Sequence, residues 1–180
     1  MKVERIQNTE LLLIDSYDAK DNRGRFTKYF QKSNLLDKET NWKESYYSCS
    51  KENIFRGFHL QVNEGSHSKL VTCISGCIVD FAIDLRWDKK TFGKLYSVNL
   101  NAEKPQSIYI PSGYGHAFYN PKKNDAIVLY LTSSEYDKRN DTGVRWDTIE
   151  NNWPFQNPIT STRDMNLQTL EGFKKNEYSY

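Results

Sequence analysis

Cys77-Ile78-Val79-Asp80-Phe81-Ala82-Ile83-Asp84-Leu85-Arg86 is the stretch that decides the class of fold. Its period of two puts Cys77, Val79, Phe81, Ile83 and Leu85 on one face and Asp80, Ala82 and Asp84 on the other, which a strand does and a helix does not. Residues 126–133 repeat the behaviour: Ile127, Leu129 and Leu131 point one way, Val128, Tyr130 and Thr132 the other. In 54–61, alternation groups Phe55, Gly57, His59 and Gln61 opposite Ile54, Arg56, Phe58 and Leu60. Further short runs at 11–15, 26–31, 44–50, 69–75, 93–100, 106–110 and 115–119 lie between turn residues, the pattern of a sandwich or barrel. Closed into a barrel, the mixed polar faces of such strands line a ligand cavity. Helices are expected only at 33–39, with Ser33 as N-cap, and near 167–174. After Tyr136 the alternation stops. Residues 137–180 read as a wrapping arm marked by Trp146, Trp153, Pro154 and Pro158, and the terminal KKNEYSY as a frayed end.

The 180 residues fit one domain with a trailing arm, large enough to bury a core without staples. Aromatic residues make up 14% of the chain, which favours strands. The 25 basic and 23 acidic residues are spread evenly, so no basic run marks a nucleic-acid partner. Three cysteines, Cys49, Cys73 and Cys77, form no CxxC pair and read as reduced thiols of a cytoplasmic protein. The start MKVERIQNTE has no apolar signal core, and no apolar run approaches a membrane span.

Only three histidines occur: His59, His67 and His116. Pro111-x-Gly113-x-x-His116-x-x-x-Asn120 has the spacing of the second cupin motif, a strand–turn–strand that points a histidine into a barrel. The companion stretch offers His59-Leu60-Gln61 instead of His-x-His, so the set of ligands for a metal is incomplete and none is expected. A lone barrel histidine is as readily a hydrogen-bonded core residue as a base. Lys69 and Tyr130 change the weighing, because a His, a Lys and a Tyr converging beside a carbonyl can move protons there.

The string Arg56-Gly57-Phe58-His59-Leu60-Gln61, followed by Lys69-Leu70-Val71, 80–86, Thr91-Phe92-Gly93-Lys94, 110–118, Leu129-Tyr130-Leu131 and Gly143-Val144-Arg145-Trp146-Asp147, resembles the dTDP-4-dehydrorhamnose 3,5-epimerase family. Asp21-Asn22-Arg23-Gly24-Arg25-Phe26 is similar to that family's N-terminal element, and the resemblance runs from about residue 10 to 165 in register. It implies an all-β, RmlC-like cupin jelly-roll barrel with one or two short helices, working as a homodimer in which N-terminal strands within about 1–50 are exchanged. It implies an isomerase that inverts C3, C5 or both of a nucleotide-linked 4-keto-6-deoxy sugar through an enolate. By position, His59 is the implied general base, Asp164 the carboxylate that orients it, Lys69 the group near the C4 oxygen and Tyr130 the general acid. Arg23, Arg56, Gln61 and His116 fall at substrate-binding positions, and Tyr136 at one that stacks on the nucleobase. Proton transfer alone suffices for such inversion, so no cofactor is expected, and no Gly-rich phosphate loop is present.

The chain departs from the family at three positions. Lys28 stands where the family shows Glu, and Glu44 and Tyr46 where it shows Gln-x-Asn, positions implied to hold the nucleobase. The nucleotide is therefore expected to be dTDP or a substitute such as GDP or CDP. Three other readings compete: a sugar-nucleotide 3,4-ketoisomerase, a non-catalytic sugar-binding cupin, and a metal-dependent cupin oxygenase or isomerase. Neither a membrane nor a nucleic acid is expected as partner, and the location expected is the cytoplasm.

Overall fold

The structure, a computed structural model, describes residues 2–31 and 40–180. Its thirteen strands among the described residues are β1 (Val3–Arg5), β2 (Leu12–Asp15), β3 (Tyr17–Asp21), β4 (Gly24–Lys28), β5 (Glu44–Ser50), β6 (Phe55–Gln61), β7 (Lys69–Ser75), β8 (Cys77–Asp84), β9 (Leu95–Asn101), β10 (Gln106–Ile110), β11 (Tyr114–Tyr119), β12 (Ala126–Thr132) and β13 (Asp141–Gly143). Two helices, α1 (Thr162–Met165) and α2 (Leu170–Lys174), follow. One sheet runs β1-β2-β10-β7-β12-β5 and the other β13-β6-β11-β8-β9, with β3–β4 as a separate hairpin. Among the described residues no helix is long and apolar enough to cross a membrane.

The alternation now acquires an inside and an outside. Ile78 and Ala82 of β8 and Val128 and Tyr130 of β12 meet Val71, Cys73, Ile108 and Phe118 in a core between the sheets. The opposite face of β8, with Phe81 and Ile83 and with Leu85 just beyond it, joins Phe55, Phe58 and Leu60 in a second core. The C-terminal arm covers that core with Trp146, Trp153, Phe155 and Phe173. Burial of apolar area at roughly 25 cal/mol per Å² makes such an aromatic cover a large stabilising term. A third, smaller cluster on the first sheet's outer face holds Leu12, Ile14, Leu70 and Tyr109.

Strict alternation fails in β6. His59 pairs with His116 and Arg56 with Phe118, so three residue steps on β6 oppose two on β11. The extra residue is a bulge at Gly57, whose φ of +126° suits glycine. Its consequence is a slipped phase: Phe55 and Phe58 both face the outer core, and Arg56 shares the cavity with His59, contrary to the grouping expected from period two.

Other differences lie at the ends. The expected strand at 26–31 is one arm of the β3–β4 hairpin, turned at Asp21-Asn22-Arg23-Gly24, where the Asp21 carboxylate accepts the Arg23 N–H at 2.8 Å. The expected helix at 33–39 lies outside the described residues. The expected helix near 167–174 is shortened to α2, because Gln168 forms a bridge to Val144 and Thr169 is the extended N-cap. The terminus is not frayed: Tyr180 donates to Leu85 O at 2.6 Å, Ser179 bonds Asn63, and Tyr178 packs beside Phe173.

Candidate active site

A cavity of about 370 Å³ opens between the sheets, lined by strands β5, β6, β7, β11 and β12 and by the arm. Of the residues singled out in the sequence, His59, Lys69, Tyr130, Glu44, Tyr46, Arg56, Gln61, His116 and Tyr136 line it. Asp164 stands behind His59, its Oδ1 2.7 Å from Nε2. Arg23 and Lys28 are not brought there: both belong to the β3–β4 hairpin, where Arg23 is exposed and bonded to Asp21.

The pair His59–Asp164 joins residues 105 positions apart. Ser161 caps α1, its Oγ accepting the Asp164 N–H at 3.0 Å, and so turns the Asp164 side chain toward β6. The Gly57 N–H donates to Asp164 Oδ2 at 3.2 Å, which the bulge permits. Burial works to raise this carboxyl, but hydrogen bonding and charge from His59, then the Gly57 N–H, hold it below the usual range. It is an anion. Burial pushes the His59 imidazolium below the usual histidine range, although Asp164 works to raise it. The ring is therefore neutral at pH 7, with Nε2 taken by Asp164 and Nδ1 without a hydrogen-bond partner among the described residues.

Lys69 opens β7 with its side chain inside, where Nζ donates to His59 O at 3.0 Å. Burial brings its pKa down to about 8. Tyr130 lies on the lumen face of β12, its hydroxyl 3.3 Å from Ser48 Oγ and its ring stacked on Tyr46 at 4.8 Å. Burial pushes its phenol far up, so it keeps its proton. His116 is buried and 2.8 Å from Asp80 Oδ2. Arg56 donates to Ser50 Oγ at 2.9 Å, and Glu44 accepts the Tyr136 N–H at 3.0 Å.

Gln61 lines the wall by holding it together. Its Oε1 accepts the Asp137 N–H and its Nε2 donates to Glu135 O at 3.1 Å, fastening the loop after β12 to β6.

Several cavity residues were given no role from the sequence: Ser48, His67, Asp141 and Arg163. Arg163 was adjacent in sequence to a residue already singled out, the one available signal; Ser48 and Asp141 arrive from strands whose facing only the sheet pairing fixes, and His67 from the loop before β7. Among the described residues no three His, Cys, Asp or Glu side chains gather as a metal site requires.

The Legionella pneumophila dTDP-6-deoxy-D-glucose-3,5-epimerase, solved with dTDP-4-keto-L-rhamnose, superposes at a TM-score of 0.91 and 25% identity, covering 99% of this chain and 97% of that one. The Mycobacterium tuberculosis epimerase gives 0.90 and 26% over 98% and 92%. Fold and cavity together define an RmlC-like cupin epimerase, an isomerase of nucleotide sugars. The dTDP-4-dehydrorhamnose 3,5-epimerase of Shigella flexneri is 31% identical over 173 residues, 93% of this chain and 95% of that protein. The Escherichia coli K12 enzyme is 32% identical over 177 residues, 95% of each. The chain belongs to the dTDP-4-dehydrorhamnose 3,5-epimerase family, whose sequence model matches residues 5–172.

Proposed function

We propose that the chain inverts C3, C5 or both of a nucleotide-linked 4-keto-6-deoxy sugar, removing a proton beside the ketone and returning one from the opposite face. The observation that carries this reading is the 2.7 Å His59–Asp164 pair opening on a cavity shared with Lys69 and Tyr130. A proton α to a ketone is too weakly acidic for an unaided imidazole, so stabilising the enolate oxygen is the larger demand. The Lys69 ammonium, itself buried, meets it as a charged donor. His59 Nδ1 takes the proton, while Asp164 fixes the tautomer and steadies the imidazolium that forms. The un-ionised Tyr130 hydroxyl returns a proton to the carbanion carbon from the other side. Arg56 and His116 contribute substrate contacts, and Tyr136, exposed at the rim, offers a ring for a nucleobase. Only protons move, so the step needs no redox cofactor.

The Legionella relative's bound ligand supports dTDP as the carrier. Glu44 supports a different base: a carboxylate only accepts hydrogen bonds, which suits the N–H edge of guanine or the cytosine amino group better than the thymine carbonyls. The hairpin bearing Arg23 and Lys28 lies away from its own cavity and exposes Tyr17 and Phe26, which supports a homodimer in which it reaches a second copy. The cytoplasm is the location that fits this reading. Incubation in D2O with dTDP-, GDP- and CDP-linked 4-keto sugars tests the whole proposal. Deuterium is expected at C3, C5 or both for one nucleotide above the others; equal turnover of all three removes the specificity claim, and no exchange with any removes the reaction.

A further inference from the structure

The steps above use His59, Asp164, Lys69 and Tyr130 and leave one cavity cation without a task. Arg163, on α1 beside Asp164, turns back onto the base: its Nη1 is 3.2 Å from His59 Nε2. Asp164 Oδ1 is 2.7 Å from that same nitrogen. A carboxylate only accepts and a guanidinium only donates, so one nitrogen cannot satisfy both. The shorter contact, to the buried Asp164 carboxylate, takes the Nε2 hydrogen. Arg163 is thus a cation held against a ring that itself becomes a cation whenever it accepts a proton. Asp141 holds it there: Arg163 Nη2 donates to Asp141 Oδ2 at 2.5 Å, and Asp141 is fixed opposite Gln61 by the β13–β6 pairing.

We propose that Arg163 is a positioning residue that keeps the His59 ring in its unprotonated, proton-accepting form, working against Asp164 at one nitrogen, with Asp141 as the anchor that tempers its charge. The inference rests on the reading of His59 as base. A base paired with a carboxylate alone would hold the abstracted proton; a neighbouring cation favours its release, which each catalytic cycle requires. The charges that act on His59 come from Asp164, Arg163 and Lys69, while Glu44, Arg56, His67, Tyr130 and Tyr136 share the cavity without bonding the ring. From α1 come Arg163 and Asp164, and from β13 Asp141. From β7 comes Lys69, which gives one of its three N–H donors to the His59 carbonyl. From β11 comes the register partner His116, itself bonded to Asp80 of β8. Charge from Arg163 and from Lys69 adds to burial in disfavouring the imidazolium.

With three histidines in the chain, the ring Cε1 resonances of the unliganded protein can be titrated individually by NMR, His59 being the one lost in His59→Ala. Arg163→Gln should raise the His59 midpoint by about half to one pH unit, with the acid limb of kcat/KM moving alongside. Asp141→Asn, which releases the Arg163 charge, should lower both, and Arg163→Lys should stay near wild type. Unmoved His67 and His116 resonances report an intact fold. A His59 midpoint unchanged in Arg163→Gln, or raised in Asp141→Asn, overturns the proposal whatever happens to kcat. The midpoint is read without substrate, so it stands apart from the base assignment, which fails only if His59→Ala still exchanges substrate protons.

Discussion

His59, half-buried, and Lys69, buried, are both bases of the cavity, yet the reaction needs them in opposite states, the imidazole neutral and the amine charged. Burial lowers His59 from its ordinary 6.5 and brings Lys69 down to about 8. The acid side of kcat/KM should therefore fall only below 6.5, as His59 gains a proton, and the alkaline side near 8, as Lys69 loses one. Replacing Lys69 by Arg, which stays charged, should carry the alkaline limb out of the measurable range; a limb that stays near 8 assigns it elsewhere. Asp164→Asn should lower kcat by about 10²–10⁴-fold with little change in KM, because an amide no longer fixes the tautomer. At this scale the sequence reveals residues carried by contiguous motifs, such as His59 and Lys69. It hides Arg163 and Asp141, whose partners sit on other elements and whose meaning exists only once β13 and α1 close over β6.

The elements were legible where alternation was unbroken, as in β8 and β12, and illegible where a pair of residues shared a face. The bulge in β6 inserts one residue, and no periodic reading of 54–61 anticipates that Arg56 and His59 look into one cavity. The same bulge sets the tolerance of the strand. A Cβ on Gly57 would meet the Ala117 Cβ at 2.4 Å, and one on Gly143 the Phe58 carbonyl oxygen at 1.8 Å. Gly57→Ala and Gly143→Ala should each cost at least about 2 kcal/mol, read as a lower denaturation midpoint. A midpoint equal to wild type would mean that β6 can move away from β11 and β13. The short strands β1, β3 and β13 were missed because three to five residues carry too little periodicity to stand out.

Across the whole molecule, the arm is what closes both the outer core and the site. It supplies Trp146, Trp153 and Phe155 around Phe55 and ends by delivering Asp164 to His59. Phe55→Ala should cost about 3–5 kcal/mol, measurable as a fall in Tm. Polarity made the arm read as loosely attached, since its aromatic residues are sparse in sequence and gather only in space. Deleting 178–180, expected from sequence to be a free end, should instead lower Tm, because it removes the Tyr180 bond to Leu85 and the packing of Tyr178. The exposed Phe26 and Tyr47 belong to the same scale. If the hairpin and the β5 edge meet a second copy, Phe26→Glu or Tyr47→Glu should halve the mass by light scattering; a monomeric wild type would dismiss that arrangement.

The most direct test of the central claim is deuterium wash-in from D2O at C3 and C5 of a 4-keto sugar nucleotide, compared between wild type, Tyr130→Phe and His59→Ala. The account predicts exchange in wild type, exchange without net inversion in Tyr130→Phe, and none in His59→Ala. Exchange at the wild-type rate in a folded His59→Ala protein would contradict it.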